Sequence, residues 1–325
     1  MGEFELIDRF FRRTSAGRGV ALGIGDDCAL LAPAAGMQLA VSSDLLLEGR
    51  HFFADVDPRR LGHKALAVNL SDLAACGARP LGFTLALALP QADAAWLAPF
   101  AAGLFALADA HGCALVGGDT TRGPLAICIT VFGEVPTGQA LLRSGARAGD
   151  DLYVSGTLGD ARLALEALRG TVQVPAPVLA AARERLEQPS PRVGLGQALR
   201  GIATSAIDLS DGLLGDLGHV LRQSDVGARI DTSAALSLFA ARRTSAALLP
   251  DDGRLLGWVL AGGDDYELAF TAPAAARIAV DDAARACATP VTRIGAIEAA
   301  PGVRFHDGEG RPVDVPVLGG FDHFA

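Results

Sequence analysis

Residues 57–77 read Asp-Pro-Arg-Arg-Leu-Gly-His-Lys-Ala-Leu-Ala-Val-Asn-Leu-Ser-Asp-Leu-Ala-Ala-Cys-Gly, a pattern typical of one helix inside a protein core. Asp57 is placed to cap this helix, Pro58 takes the first helical position, where a missing N–H costs nothing, and the final glycine ends it. Asp72 interrupts the apolar residues one turn after Asn69, so the two polar side chains share one face. Because a buried, unpaired carboxylate is costly, we expect a cation to offset the charge of Asp72.

Short apolar runs typical of β-strands occur on both sides of this helix, and each is followed by an acid, three of them after small residues. Four of them are Val20–Gly25, Met37–Ser43, Ala114–Gly118 and Ile202–Ile207. A second helix is predicted over about Ala92–His111. Strands and helices mix throughout, which predicts α+β or α/β in each half and, for the whole chain, an α+β fold of two mixed α/β domains.

The length of 325 residues also fits two domains, each large enough to bury a core. A turn-rich stretch over residues 143–151 separates a predicted strand on either side of it. We therefore place the boundary near residue 148, giving an N-terminal domain over 1–148 and a C-terminal domain over 149–325.

Composition excludes several classes of protein. Half of the residues are hydrophobic, and the formal charge of −9 disfavours non-specific binding of nucleic acid. No apolar run reaches the ~20 residues of a membrane span, and the acidic N-terminus does not resemble a signal peptide. Five cysteines without a Cys-x-x-Cys pair are typical of reduced thiols. We therefore expect a cytoplasmic protein that binds neither nucleic acid nor a membrane.

Six aspartates form the most informative feature of the sequence. Most of them directly follow an apolar strand in a turn of small residues, and they are Asp27, Asp44, Asp72, Asp119, Asp208 and Asp211. One lysine, Lys64, cannot neutralise them all, whereas a divalent cation can. Aspartates without neighbouring Cys or His favour Mg²⁺ before Ca²⁺, and Mg²⁺ on few carboxylates takes further ligands from substrate phosphates. The alternative is that each aspartate is a turn former or helix cap.

The familiar phosphate-binding motifs are missing from the sequence. Lys64 is not part of a P-loop, because Gly62 and His63 precede it and Ala65 follows it. Gly23 and Gly25 lack the third glycine of a dinucleotide fingerprint, since Cys28 stands in its place. A protein-kinase catalytic loop and a Gly-x-Ser-x-Gly elbow are also absent. Phosphate binding is therefore expected from glycine turns, arginines and metal.

The motifs taken together resemble those of thiamine-monophosphate kinases, a family within the aminoimidazole ribonucleotide synthetase-like ATP-binding superfamily. The glycine turns Gly23-Ile-Gly-Asp-Asp and Gly262-Gly-Asp-Asp-Tyr-Glu are shared by the superfamily. Three segments are specific to the kinases: Ser43-Asp-Leu-Leu-Leu-Glu-Gly-Arg-His-Phe, the helix around Asp72, and Gly117-Gly-Asp-Thr-Thr-Arg-Gly. Further matches extend over nearly the whole chain.

This resemblance implies Mg²⁺-dependent transfer of the γ-phosphate of ATP, in line, to thiamine phosphate, which yields thiamine diphosphate. It implies several Mg²⁺ ions, an N-terminal domain whose sheet pairs across a homodimer, and a C-terminal α/β sandwich. The acceptor is a phosphate oxygen that already carries negative charge at neutral pH, so the reaction needs no general base.

The resemblance also implies roles for individual residues. The metal ligands would be Asp27, Ser42, Ser43, Asp44, Asp72, Asp119, Asp208 and Asp211, with Asp44, Asp72 and Asp119 central to catalysis. The ATP contacts would be Gly118, Asp119, Arg143, Ser210 and, where the family more often has an aromatic residue, His111. The substrate contacts would be His51, Glu267 and Phe321.

Two alternatives remain open from the sequence. Another enzyme of the superfamily is one, although no reactive cysteine precedes Gly23, as selenophosphate synthetase would require, and the chain lacks the terminal cysteine of the hydrogenase-maturation factor. The other is a non-enzymatic scaffold in which the aspartates hold a structural metal ion.

Overall fold

The computed structural model describes residues 2–13, 17–245 and 249–315. The chain forms two compact units: unit 1 comprises Met1–Leu73 and Ala78–Ala140, and unit 2 comprises Ala74–Gly77 and Leu141–Ala325. The main crossing between them thus lies between Ala140 and Leu141, a few residues before the predicted boundary. Both units mix strands and helices, which confirms the predicted α+β class.

Unit 1 is built on a four-stranded sheet with the order β3-β6-β4-β5, in which β4 and β5 are parallel and the other neighbours antiparallel. Its strands are β1 Val20–Leu22, β2 Leu30–Leu31, β3 Met37–Leu47, β4 Arg79–Leu89, β5 Ala114–Arg122 and β6 Ala126–Pro136, of which β1 and β2 form a separate pair. Its helices are α1 Glu3–Leu6, which continues as a π-helical turn over Ile7–Phe11, α2 Pro58–Ala75 and α3 Ala94–His111.

The helix quoted at the start of the sequence analysis is confirmed as α2. Asp57 Oδ1 accepts the backbone N–H of Arg59 at 2.7 Å, so the predicted cap is made. Leu66 and Leu70 are fully buried on its core face. The second predicted helix is α3, where the Asp93 side chain caps the first turn and Gly112, in the left-handed conformation, ends the last.

Strand β4 was not predicted. Its sequence, Arg-Pro-Leu-Gly-Phe-Thr-Leu-Ala-Leu-Ala-Leu, contains a proline and a glycine near its start and is rich in residues that favour helices. The structure accommodates Pro80 at an irregularity in the pairing with β6, where the register shifts between Pro80 and Gly82. The strand is then buried between two neighbours, a tertiary effect that local propensity does not contain.

Helix α3 is long and apolar enough to cross a membrane, and it is the one helix of the described ranges that meets this criterion. Length and composition alone do not distinguish such a span from a core helix. In unit 1 the helix buries Leu97, Phe100, Leu104 and Leu107 along one side, and it contains Pro99.

Unit 2 contains a six-stranded sheet with the order β12-β9-β11-β7-β10-β8, in which β12 is parallel to β9 and the other pairs are antiparallel. Its strands are β7 Asp150–Ser155, β8 Ser205–Asp208, β9 Gly227–Asp231, β10 Leu268–Pro273, β11 Val291–Glu298 and β12 Gly302–His306. Its helices are α4 Asp160–Leu168, α5 Ala176–Glu187, α6 Val193–Ala198, α7 Leu213–Ser224, α8 Thr232–Leu236, α9 Ala240–Ser245, α10 Asp252–Ala261 and α11 Arg277–Ala286. A core of leucine, isoleucine, valine and aromatic side chains joins the helices to the sheet.

Candidate active site

Strand β3 and helix α2 bring two of the predicted metal ligands, Asp44 and Asp72, together. Ser42 Oγ donates a hydrogen bond to Asp72 Oδ2 at 2.5 Å. The backbone N–H of Asp44 donates to Asn69 Oδ1 at 3.1 Å, and Asn69 Nδ2 donates to the Ala65 carbonyl at 3.0 Å. Asn69 and Asp72 lie on one face of α2 because of their i, i+3 spacing. This face therefore binds both the Ser42 side chain and the Asp44 backbone of β3.

Asp44 and Asp72 form a pair of carboxylates in which each like charge opposes ionisation of the other. Burial and the adjacent Asp72 carboxylate, through its charge and a hydrogen bond, raise the pKa of Asp44 to about 7. Two adjacent, buried carboxylates coexist only if they share a proton or if a cation replaces that proton. Lys64 is buried as well, and its Nζ donates to the carbonyl of His51 at 3.4 Å.

The donor set of this pair fits Mg²⁺ bound in part through a substrate. Mg²⁺ typically takes one or two protein carboxylates and completes its shell with waters and phosphate oxygens. Within residues 2–13, 17–245 and 249–315, no three His, Cys, Asp or Glu side chains lie close enough to hold a metal ion by themselves. The described residues thus offer a half-site of two carboxylates and the Ser42 hydroxyl.

Asp119 does not join this pair within unit 1. It lies on β5, at the edge of the sheet opposite β3, and three strand spacings of about 4.8 Å put roughly 14 Å between the two strands. The strand register places Asp119 level with Ala86 of β4, whereas it places Asp44 level with the preceding residue of β4, Leu85. Residues at the same level across the strands form one row of the sheet. Neighbouring rows face opposite sides of a sheet, so Asp44 and Asp119 point to different faces.

Ser43 and Gly118 are explained in part by the same sheet. Ser43 alternates with Ser42 and Asp44, so its hydroxyl lies on the other face, where it contacts Thr130 Oγ1 at 3.0 Å. Gly118 has φ +147°, and a Cβ there would approach the Leu85 carbonyl oxygen to 1.9 Å. The fold itself therefore requires glycine at 118, whether or not ATP contacts it.

Asp27 and His51 lie in the turns of unit 1. Asp27 is exposed, and its backbone N–H donates to Asp26 Oδ1 at 2.9 Å. His51 Nδ1 accepts the backbone N–H of Leu47 at 3.0 Å, which fixes the ring against the end of β3. A neutral His51 consequently carries its proton on Nε2.

His111 lies at the end of α3 and faces a cavity of about 440 Å³. The cavity is also lined by Arg13, Arg18 and Arg79, and Arg13 forms a two-bond ion pair with Asp109 at 3.0 Å for each bond. Burial and then the charge of His63 lower the pKa of His111, so this ring is neutral near pH 7.

In unit 2, Asp208 ends β8 and the turn Ser210-Asp211-Gly212 leads into α7. Asp216, in the first turns of α7, accepts the backbone N–H groups of all three turn residues, that of Asp211 at 3.0 Å. Burial raises the pKa of Asp216 to about 7, and the nearby charge of Asp211 contributes to this. Asp216 thus organises the turn that carries two predicted site residues, a role that the sequence analysis missed.

Arg143 lies beside this same helix. Its charge, after burial and the charge of Arg222, helps to lower the pKa of His219, while Asp211 acts on that ring in the opposite direction. Arg143, His219 and Asp211 are therefore within electrostatic reach of one another. Arg143 and Ser210, which are both predicted to contact ATP, belong to unit 2.

Glu267 does not occupy the position expected of a substrate contact. Its carboxylate is fully buried and accepts hydrogen bonds from Arg192 Nη2 at 2.5 Å, Arg185 Nη2 at 2.8 Å and Ser155 Oγ at 2.6 Å. Gly156 has φ +58°, and a Cβ there would overlap with the same carboxylate. The contacts assign Glu267 to the core of unit 2, because its oxygens are already occupied. Phe321, the other C-terminal prediction, lies outside the described residues.

Known proteins resemble this chain over its whole length. The domain described as "AIR synthase related protein, N-terminal domain" matches residues 25–135, which include Asp27, Asp44, Asp72 and Asp119. Thiamine-monophosphate kinase of Salmonella typhimurium strain LT2 is 48% identical over 327 residues, covering 100% of this chain and 98% of the relative. The chain belongs to the thiamine-monophosphate kinase family. This confirms the resemblance predicted from the motifs.

Solved structures of thiamine-monophosphate kinases share the fold. That of Stenotrophomonas maltophilia K279a superimposes with a TM-score of 0.85 and 47% identity, covering 96% of this chain and 98% of the other. AaThiL complexed with AMPPCP and TMP superimposes with a TM-score of 0.73 and 26% identity, covering 99% and 96% of the two chains.

Three residues of unit 2 lie in or beside turns that carry predicted site residues and were not singled out from the sequence. They are Asp216, which binds the turn before α7, and Asp264 and Tyr266, which adopt positive φ values of 61° and 51°. Non-glycine residues in this region are strained, and such strain concentrates at functional turns. The signal available in the sequence was the pair of glycines before Asp264, which marks a tight turn.

Proposed function

We propose that this chain transfers the γ-phosphate of ATP to thiamine phosphate and thereby forms thiamine diphosphate. The observation that carries the proposal is 48% identity, over the whole chain, to a thiamine-monophosphate kinase. The site supports it, because unit 1 holds a carboxylate pair suited to a phosphate-bound cation and unit 2 groups Arg143 with the turn at Ser210.

Magnesium ions belong to the proposal. Asp44 and Asp72 would hold Mg²⁺, and when bound it would neutralise phosphate charge on the two anionic reactants. Asp27, Ser42, Ser43, Asp119, Asp208 and Asp211 complete the proposed set of metal ligands. The half-site at Asp44 supports this, since its two carboxylates leave most of a six-oxygen shell to waters and substrate phosphates.

The side chains of this chain otherwise bind and orient the reactants. Arg143 would donate to ATP phosphates from a fixed guanidinium, with Gly118, Ser210 and His111 as further ATP contacts. His51, whose Nδ1 is occupied by the Leu47 N–H, would offer Nε2–H to thiamine phosphate. No residue needs to remove a proton, because the attacking phosphate oxygen is already anionic.

A direct assay tests the activity. We expect the purified chain to form ADP and thiamine diphosphate from ATP, Mg²⁺ and thiamine phosphate, measured by a coupled assay and by chromatography of the product. Thiamine and an aminoimidazole ribonucleotide precursor serve as control acceptors and should give no ADP. ADP formed only with the precursor would assign the chain to another superfamily activity. Stabilisation by Mg²⁺ without any ADP would favour a structural metal site.

A homodimer is the second part of the proposal. The outward face of β3 exposes Leu39, Val41, Leu45 and Leu47, with relative exposures of 47, 56, 51 and 38%. These side chains alternate along one strand on both sides of Ser43 and form a largely apolar stripe, which is typical of an interface. Asp119 lies on the same face of the sheet, so pairing of two sheets there would adjoin this one of the proposed metal ligands.

Charging this stripe should break the dimer. We expect Val41→Asp to convert the protein from twice the chain mass to a monomer of 33.3 kDa in sedimentation equilibrium, because two buried carboxylates would face each other across the interface. Ile278→Asp is the matched control, since Ile278 is 76% exposed on unit 2 and should leave the dimer intact. A parent protein that sediments as a monomer at micromolar concentration would contradict the proposal.

A cytoplasmic location and the absence of nucleic-acid and membrane partners also stay in the proposal. All five cysteines are free thiols, which is consistent with a reducing compartment.

A further inference from the structure

The turn that carries Arg143 is held from two sides within unit 2. On one side the Leu142 carbonyl accepts the backbone N–H of Ala206, on β8, at 2.9 Å. Gly145 has φ +117° and lies so close to Thr204, the residue before β8, that a Cβ would meet the Thr204 carbonyl oxygen at 2.4 Å. The turn therefore packs against the start of β8.

On the other side a single hydroxyl at the end of α7 holds the turn. Ser224 Oγ accepts the backbone N–H groups of Gly145 at 3.1 Å and Ala146 at 3.2 Å, and it donates to the Arg143 carbonyl at 3.4 Å. A serine hydroxyl has one donor and two acceptor sites, so these contacts use its full capacity. Ser224 has no role in the proposed transfer of phosphate.

The Arg143 side chain lies within electrostatic reach of α7. The charge of Arg143 reaches His219, whose Nδ1 lies 3.1 Å from Arg222 Nη2 and which also senses Asp211. His219 precedes Ser224 by five residues, or about 7.5 Å of helix. The charge of Arg143 thus acts on the same part of α7 as the charge of Asp211.

We propose that Ser224 is a positioning residue that fixes the backbone of Arg143, so that the guanidinium meets the phosphates of ATP in a preset orientation. The inference rests on the proposed function, in which Arg143 contacts ATP. An arginine binds a phosphate best through two parallel hydrogen bonds, and these require a defined orientation. A backbone that is already ordered lowers the entropy lost when the nucleotide binds.

Kinetics of Ser224→Ala test this role. We expect the KM for ATP to rise about tenfold, while kcat and the KM for thiamine phosphate change by less than about twofold. Ser224→Thr keeps the hydroxyl and should restore most of the ATP affinity. Arg143→Ala should raise the KM for ATP at least as much, and adding Ser224→Ala to it should have no further effect. Ser237→Ala, which removes an exposed serine at the end of α8, is the control and should match the parent.

Several results would overturn the inference. These are an unchanged KM for ATP in Ser224→Ala, equal rises in both KM values, or effects of Ser224→Ala and Arg143→Ala that add. If Ser224→Ala does not fold, Ser224→Cys, with its weaker hydrogen-bonding group, takes its place with the same expectation. If the parent does not phosphorylate thiamine phosphate, the proposed function fails, and calorimetric binding of AMPPCP to the same variants tests the inference separately.

Discussion

Replacing Asp72 by asparagine should abolish turnover and leave the protein folded. The side chain keeps its shape and can still accept the Ser42 hydroxyl, but the site loses one of the two carboxylates that would bind Mg²⁺. Metal-ion stabilisation of phosphoryl transfer is worth several kcal/mol, so we expect kcat/KM for thiamine phosphate to fall roughly a thousandfold. Asp44→Asn should behave in the same way.

Stability should move in the opposite direction to activity. In EDTA the parent carries two adjacent carboxylates, whose repulsion and burial raise the pKa of Asp44 to about 7. Asp72→Asn removes that repulsion, and the melting temperature in EDTA should stay the same or rise. The stabilisation that Mg²⁺ and ATP give the parent should be lost.

The control for this prediction is Asp93→Asn. Asp93 caps α3 through its side chain, and asparagine caps as well as aspartate, so both activity and stability should match the parent. Unchanged turnover of Asp72→Asn at saturating Mg²⁺ would reject the assignment of this carboxylate.

Helix α2 shows what the sequence could predict about the site. Its cap, its apolar face and the two polar residues at i, i+3 are local signals, and they predicted both the helix and an unusual role for Asp72. The partner of Asp72 was not predictable locally, since Ser42 precedes it by 30 residues and meets it only because β3 lies under α2. Position in the sheet is a tertiary property.

The strand that contains Ser42, Ser43 and Asp44 marks another limit. The family resemblance groups the three as metal ligands, but successive residues of a strand face opposite sides. The predicted strand ends at Ser43, whereas β3 continues to Leu47, so the predicted alternation did not extend to Asp44. Because strand β4 was not predicted, the position of Asp119 at the far edge of the sheet could not be predicted either.

Replacing Glu267 by glutamine should destabilise the protein severely. The carboxylate is completely buried and neutralises Arg185 and Arg192, whose side chains are only 19 and 18% exposed. Removing one partner of a buried ion pair leaves uncompensated charge in the core, at a cost of about 3–5 kcal/mol. We expect the melting temperature to fall by roughly 10 °C in a thermal unfolding experiment. Glu298→Gln, which removes a more exposed partner of Arg304 and Arg229, should change it little.

A second substitution separates this structural role from the substrate contact expected from the sequence. Arg192→Met in the Glu267→Gln background removes one of the two orphaned charges, so the double variant should regain part of the lost stability. Well below its melting temperature, Glu267→Gln should keep the parent's KM for thiamine phosphate, because its oxygens already face Arg185, Arg192 and Ser155. A selective rise of that KM without loss of stability would instead restore Glu267 to the substrate site. The sequence could not separate the two roles, since the arginines that surround Glu267 lie 75 and 82 residues away along the chain.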